Sequence, residues 1–182
     1  MATILETHRT SAPARLLDAP RRVAFLILAA AGATVGGALV FEHGFGLRPC
    51  KLCLQQRIPY YVAIPLALGL AALPLPRTAS LARIGLVLLG LVFLGSAGLG
   101  AYHAGVEWGW FAGPSDCGGA VASAPGSVGD FLRDLERTRV VSCTEAAWRF
   151  MGLSLAGWNV LISLGLAGLA FAGARSGGAR SL

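Results

Sequence analysis

Charge is scarce in this chain. Only 13% of its 182 residues are Asp, Glu, Lys or Arg, while 55% are hydrophobic. A soluble domain carries about 25% charged residues, so an ordinary water-exposed surface is excluded. Acidic groups are scarcer still, nine against fifteen basic. The resulting pI near 9.8 could suit nucleic acid, but the basic residues form no stripe and match no binding motif. They flank apolar runs instead, as membrane-bordering arginines do. No internal repeat is present, and the length leaves room for one domain. Glycine is plentiful at 25 residues, which suits helices packed closely in a bilayer.

Four stretches lack Asp, Glu, Lys and Arg for long enough to cross hydrocarbon, which takes about 20 helical residues. They run over about 23–41, 58–76, 84–106 and 150–174. Each is expected to be helical, because an isolated strand would leave its backbone groups unpaired in lipid. The fold class expected is therefore all-α: a four-transmembrane-helix bundle. Pro59 suits a helix start, Pro74 and Pro76 mark an exit, and Pro65 is expected to kink the second helix in its first half. The first run, at 19 residues, exceeds the apolar core of about 7–15 residues in a cleaved signal peptide and reads as an anchor.

The connections differ in character. Residues 42–57 form a short loop, 77–83 a tight turn, and 107–149 a long loop. Within the last, Ser127-Val128-Gly129-Asp130 reads as a capping box. Val128, Phe131, Leu132 and Leu135 then share one face, so a short helix lying at the membrane interface is expected. Segments 1–22 and 175–182 and the tight turn carry eight arginines, against seven Lys/Arg on the other side. This slight bias places both termini in the cytoplasm. Parity says more: with four crossings, the loops after the first and third helices share a side, and they hold all four cysteines.

Other things missing narrow the chemistry of those cysteines. Cys50 and Cys53 are close, but Cys117 and Cys143 lie 26 positions apart, so the second close pair of a structural zinc site is lacking and no metal is expected. No histidine follows Cys53, which excludes covalent haem, and no βαβ context supports a thioredoxin-like motif. Disulfide chemistry in an oxidising compartment remains. Two static staples are the plain alternative, in a membrane scaffold or assembly factor without enzymatic activity. Against it, a C-x-x-C bridge closes a tiny loop and gains little stability, so such pairs more often exchange.

If helix extends back to Cys53, Arg57 sits one turn along on the same face. A guanidinium there either stabilises a thiolate or donates to the carbonyl oxygen of a lipid-soluble electron acceptor; the alternative is snorkelling to headgroups. His103 lies in an apolar run near the end of the third helix, where an ionisable group is a functional candidate: a donor to a quinone oxygen, a proton relay, or an interfacial histidine. Trp108, Trp110, Trp148, Trp158, Tyr60, Tyr61 and Tyr102 fall on the cysteine side and read as an aromatic belt.

Together, Cys50-Lys51-Leu52-Cys53 followed by Gln56-Arg57, Tyr102-His103 ending the third helix, and Cys143 leading to Trp148 and Gly152-Leu153 resemble the disulfide bond formation protein B (DsbB) family. The resemblance covers about residues 22–174; the polar N-terminal segment is a departure from it. It implies a thiol oxidase of the bacterial inner membrane whose cysteine loops face the periplasm. Cys117 and Cys143 would accept electrons from a periplasmic DsbA-like oxidase of thioredoxin fold, whose thiolate attacks Cys117. Cys143 would pass them on through Cys50, leaving Cys53 as a thiolate beside Arg57, with Arg57 and His103 at the quinone site. The acceptor would be ubiquinone or menaquinone of the membrane pool. A related oxidase dedicated to one substrate is the variant reading.

Overall fold

The structure, a computed structural model, describes residues 20–73, 79–114 and 142–176. Helix α1 (Pro20–Leu39) opens on a proline, whose missing N–H costs nothing in a first turn. It continues into a π-helical turn, Val40–Gly44. Helices α2 (Lys51–Ala72) and α3 (Ala79–Glu107) follow, then a hairpin of β1 (Arg149–Phe150) and β2 (Leu153–Ser154), then helix α4 (Leu155–Ser176). Neighbouring helices close a ring, α1 on α2, α2 on α3, α3 on α4 and α4 on α1, with α3 and α4 the most extensive pair.

The bundle core is built from Val23 and Ile27 of α1, Tyr60 and Ala63 of α2, Leu89 and Phe93 of α3, and Ala170 of α4. The outer faces are apolar too: Phe25, Ile84, Leu88, Leu91, Leu161 and Leu164 are all exposed. Helices hydrophobic all round have hydrocarbon outside as well as core inside. Three helical segments, Pro20–Gly44, Ala79–Glu107 and Leu155–Ser176, are long and apolar enough to cross a membrane. Helix α2 is not, because its first two turns carry Lys51, Gln55, Gln56 and Arg57.

Several boundaries depart from the sequence reading: α3 already begins at Ala79, inside the expected turn 77–83, and two others have a visible cause. Helix α2 starts at Lys51, well before Ile58, because the Cys50 sulfur accepts the Cys53 N–H at 3.1 Å and caps it. It runs through both Pro59 and Pro65. The last helix starts at Leu155 instead of Phe150. Residues 149–154 form the hairpin, with Arg149 opposite Ser154 and Phe150 opposite Leu153. Its two-residue turn holds Met151 and Gly152 at φ of 51° and 82°, the positive values such tight turns require. Ser154 then caps α4, its Oγ accepting the Gly157 N–H at 3.2 Å. The interfacial helix expected after Ser127 lies outside the described residues.

Glycine sets the closeness of α3 to α4. A Cβ on Gly90 would fall 2.6 Å from the Phe171 ring, and one on Gly100 3.3 Å from the Ala156 carbonyl oxygen. Gly90→Leu is therefore expected to overpack the pair and destabilise the bundle by about 1–3 kcal/mol. A thermal melt in detergent checks this; an unchanged midpoint would refute the close-approach argument.

Candidate functional site

Cys50 and Cys53 form a disulfide at the head of α2. Cys50 is the N-cap, in extended conformation, so its sulfur faces the free N–H groups of the first turn. The Cys50 side is buried, together with Leu52, Val106 and Cys143, in a small apolar cluster separate from the bundle core. Cys143 is fully buried and itself disulfide-bonded. The fold therefore brings three of the four expected cysteines to one place; Cys117 lies outside the described residues.

His103 stands over this disulfide, 3% exposed, with Nε2 3.6 Å from the Cys50 sulfur. The same Nε2 is 3.8 Å from Glu107 Oε1. Glu107, one turn further along α3, has a side chain only 4% exposed, and its Oε2 has no hydrogen-bond partner among the described residues. On the other side of the ring, Nδ1 meets the Gln56 amide nitrogen. The Gln56 oxygen accepts from Asn159 Nδ2 at 2.7 Å, and Asn159 Oδ1 accepts from the Tyr60 hydroxyl at 2.6 Å. Tyr60 also meets Ser163 Oγ at 3.0 Å, and Ser163 donates to Ser96 at 3.0 Å. A continuous polar chain thus runs from the disulfide into the core, drawing on α2, α3 and α4.

Arg57 follows Cys53 by one helical turn, as expected once α2 reaches back that far. Its Nη1 pairs with Glu42 of the π-helical turn, and both side chains are largely covered, 13% and 26% exposed. The widened turn thus supplies a counter-charge that the sequence reading left out. Both cysteines, Arg57, His103, Gln56 and Tyr60 line one cavity of about 270 Å³. The rest of its wall is mostly apolar, including Ala33, Phe41, Leu155 and Ile162, and also holds Arg48, Glu107, Glu145 and Asn159. A largely apolar chamber with polar side chains in its wall fits a ring carrying carbonyl oxygens.

Metal binding fits less well. The two sulfurs and the His103 nitrogens include ligand atoms within 4.8 Å of one another. However, the sulfurs are bonded to each other, and a ligating histidine normally donates its second ring N–H to an acceptor. Here that second nitrogen faces an amide NH₂.

Several partners escaped the sequence reading. Tyr60, assigned there to the aromatic belt, is 2% exposed and belongs to the polar chain. The exposed Trp108, Trp110, Trp148 and Tyr61 remain consistent with a belt. The signal that would have found the chain is helical spacing of polar groups: Gln56 with Tyr60, and Asn159 with Ser163, each four apart within apolar helices.

Comparison with known proteins bears on the same residues. The disulfide bond formation protein DsbB family matches residues 20–173. A disulfide bond formation protein B of Xanthomonas campestris pv. campestris (strain 8004) is 33% identical over 167 residues, covering 88% of this chain and 95% of the relative. One of Xanthomonas oryzae pv. oryzae (strain MAFF 311018) is 32% identical over 151 residues, 80% and 86% of the two chains. One of Polaromonas sp. (strain JS666 / ATCC BAA-500) is 29% identical over 162 residues, 82% and 89%. No solved structure matches. With a partly buried C-x-x-C disulfide capping a helix of an apolar bundle, and a match over most of its length, the chain belongs to the disulfide bond formation protein DsbB family.

Proposed function

We propose that this chain is a membrane thiol:quinone oxidoreductase that reoxidises a periplasmic DsbA-like oxidase. The observation that carries the reading is the position of the disulfide: both sulfurs lie in the wall of an apolar cavity that also holds Arg57 and His103. An inert staple needs no such chamber. In this reading α2 is a fourth crossing, its polar first turns lying at the interface. The cysteine segments then face the periplasm, and both termini lie in the cytoplasm of a bacterial inner membrane. The Cys117/Cys143 pair takes two electrons from the partner's dithiol, which becomes a disulfide. Cys143 shares a buried cluster with Cys50, which suits exchange between the pairs: the Cys50–Cys53 bond is reduced as Cys117–Cys143 re-forms.

Arg57 and His103 are the residues proposed to face the quinone. A guanidinium has five donors, more than one carboxylate contact uses, so Arg57 can hold Glu42 and still donate to a carbonyl oxygen. When bound, the quinone supplies a sink for two electrons and two protons from the Cys50/Cys53 dithiol. Coupling to such a sink matters because each 30 mV of unfavourable potential costs about 1.4 kcal/mol for a two-electron exchange. The test is absorbance-monitored quinone reduction by the purified protein with a reduced thioredoxin-fold partner. Stoichiometric conversion of dithiol and quinone to disulfide and quinol is expected. No thiol-dependent quinone reduction would refute the reading and favour a scaffold with static disulfides.

A further inference from the structure

The polar chain reaching His103 is oriented in one direction in this structure, and that orientation bears on where the imidazole carries its proton. Asn159 Oδ1 is taken by the Tyr60 hydroxyl, so Asn159 turns Nδ2 to Gln56. Gln56 Oε1 is thereby taken, and Gln56 presents its NH₂ to His103 Nδ1. With the amides oriented this way the Gln56 NH₂ can only donate, which leaves Nδ1 bare and puts the proton on Nε2. Nε2 is the nitrogen 3.6 Å from the Cys50 sulfur. It is also 3.8 Å from Glu107 Oε1, so this proton lies between a sulfur and a carboxylate and opposes negative charge at either.

We propose that Gln56 and Asn159 are positioning residues that lock His103 in the Nε2–H tautomer, making it a fixed donor to the Cys50 thiolate whenever the Cys50–Cys53 bond is open. The functional part rests on the oxidase reading above. Closing the bond requires Cys50 to lose its proton, its sulfur to bond to that of Cys53, and two electrons to leave for the quinone, with the two thiol protons completing the quinol. A thiolate at Cys50 meets two donors already in place: the Cys53 backbone N–H at 3.1 Å and His103 Nε2–H. Both are preorganised, so no reorganisation is needed when the charge appears. The lock also gives a reason for placing amides in an apolar bundle: an apolar residue at position 56 or 159 would pack as well but leave the imidazole free to carry its proton on either nitrogen.

The tautomer is read in the ring ¹⁵N spectrum of the intact detergent-solubilised protein, with His103 assigned by its absence in His103→Gln. A bare Nδ1 and a protonated Nε2 are expected in the oxidised protein. In Gln56→Glu a carboxyl group faces Nδ1, and a proton should appear on that nitrogen. Asn159→Leu, which does not touch the ring, frees the Gln56 amide to rotate, and a second tautomer should appear. A proton on Nδ1 in the unmodified protein, or a spectrum unmoved in both variants, overturns the proposal. The link to sulfur is tested in a chain whose other three cysteines are serine. There His103→Phe should slow alkylation of Cys50 at neutral pH about ten- to a hundredfold, the scale of one lost hydrogen bond to a charged group. An unchanged rate overturns the link. None of these readouts involves quinone, so failure of the oxidase reading and failure of the lock are separately visible.

Discussion

Replacing Cys50, Cys53, Cys117 or Cys143 singly by serine is expected to abolish thiol-dependent quinone reduction, leaving only the rate of membranes without the protein. A serine hydroxyl forms no bond to sulfur, so any one replacement removes a bond that must break and re-form in every cycle. The effect should be all-or-none, unlike the graded loss of a structural staple, which costs about 2–4 kcal/mol of stability and leaves folded molecules working. The four variants should also stall differently. In Cys53→Ser, Cys50 keeps its capping position but has lost its neighbour. Cys143 shares its buried cluster, so the free Cys50 thiol is left to attack the Cys117–Cys143 bond at Cys143 and release the Cys117 thiol. A Cys50–Cys143 bond should therefore accumulate, seen as a mobility change on a non-reducing gel that vanishes in the Cys50→Ser/Cys53→Ser double variant. In Cys50→Ser that species cannot form. Turnover retained in any single variant would remove that cysteine from the electron path. Absence of the Cys50–Cys143 species would refute passage through Cys50 while leaving the four-cysteine requirement standing.

What the sequence could and could not show follows from range. The spans Pro20–Gly44, Ala79–Glu107 and Leu155–Ser176 were legible because freedom from charge over a helix length is a local property. Parity of four crossings predicts that the cysteine loops share a side, and among the described residues Cys50, Cys53 and Cys143 do lie together. The start of α2 was legible only as a condition on the place of Arg57: Lys51, Gln55, Gln56 and Arg57 have the polarity of a loop, and the Cys50 sulfur acting as cap starts the helix there. The hairpin at 149–154 was masked by its apolar content, since Phe150, Met151 and Leu153 read as the beginning of a buried helix. The polar chain was hidden most deeply. Gln56 and Asn159 are 103 positions apart, and each alone is an ordinary polar interruption of an apolar run. Only packing shows that they complete one another.

That chain also explains where the chemistry sits. Polar groups in an apolar bundle are tolerated only when they find partners, and Gln56, Tyr60, Asn159, Ser163 and Ser96 satisfy one another. Glu107 Oε2 is the exception among the described residues, and it lies beside the redox pair. A buried oxygen without a hydrogen bond is costly wherever it occurs, and this one belongs to a carboxyl group whose other oxygen faces His103, beside Cys50. Arg57 reaches the same cavity from the side of α1, through Glu42. Arg57 of α2, His103 and Glu107 of α3, and Glu42 of the α1 turn therefore gather at the same end as the disulfide.

Arg57→Ala is expected to raise the apparent KM for quinone about ten- to a hundredfold, the range of one lost hydrogen bond from a charged donor, with a smaller change in kcat. Arg57→Lys should not restore it, because an ammonium cannot hold the Glu42 carboxylate along one edge and donate along another as the planar guanidinium does. The ion pair supplies the control. If Arg57 matters only because it ties α2 to the π-helical turn, then Glu42→Gln, which breaks the pair from the other side, should raise KM by as much. If the guanidinium meets the acceptor itself, Glu42→Gln frees it from a competing carboxylate, and KM should hold or fall. The two variants thus move KM apart in one case and together in the other. Equal increases would assign Arg57 to the fold and leave His103 as the polar group proposed to face the quinone.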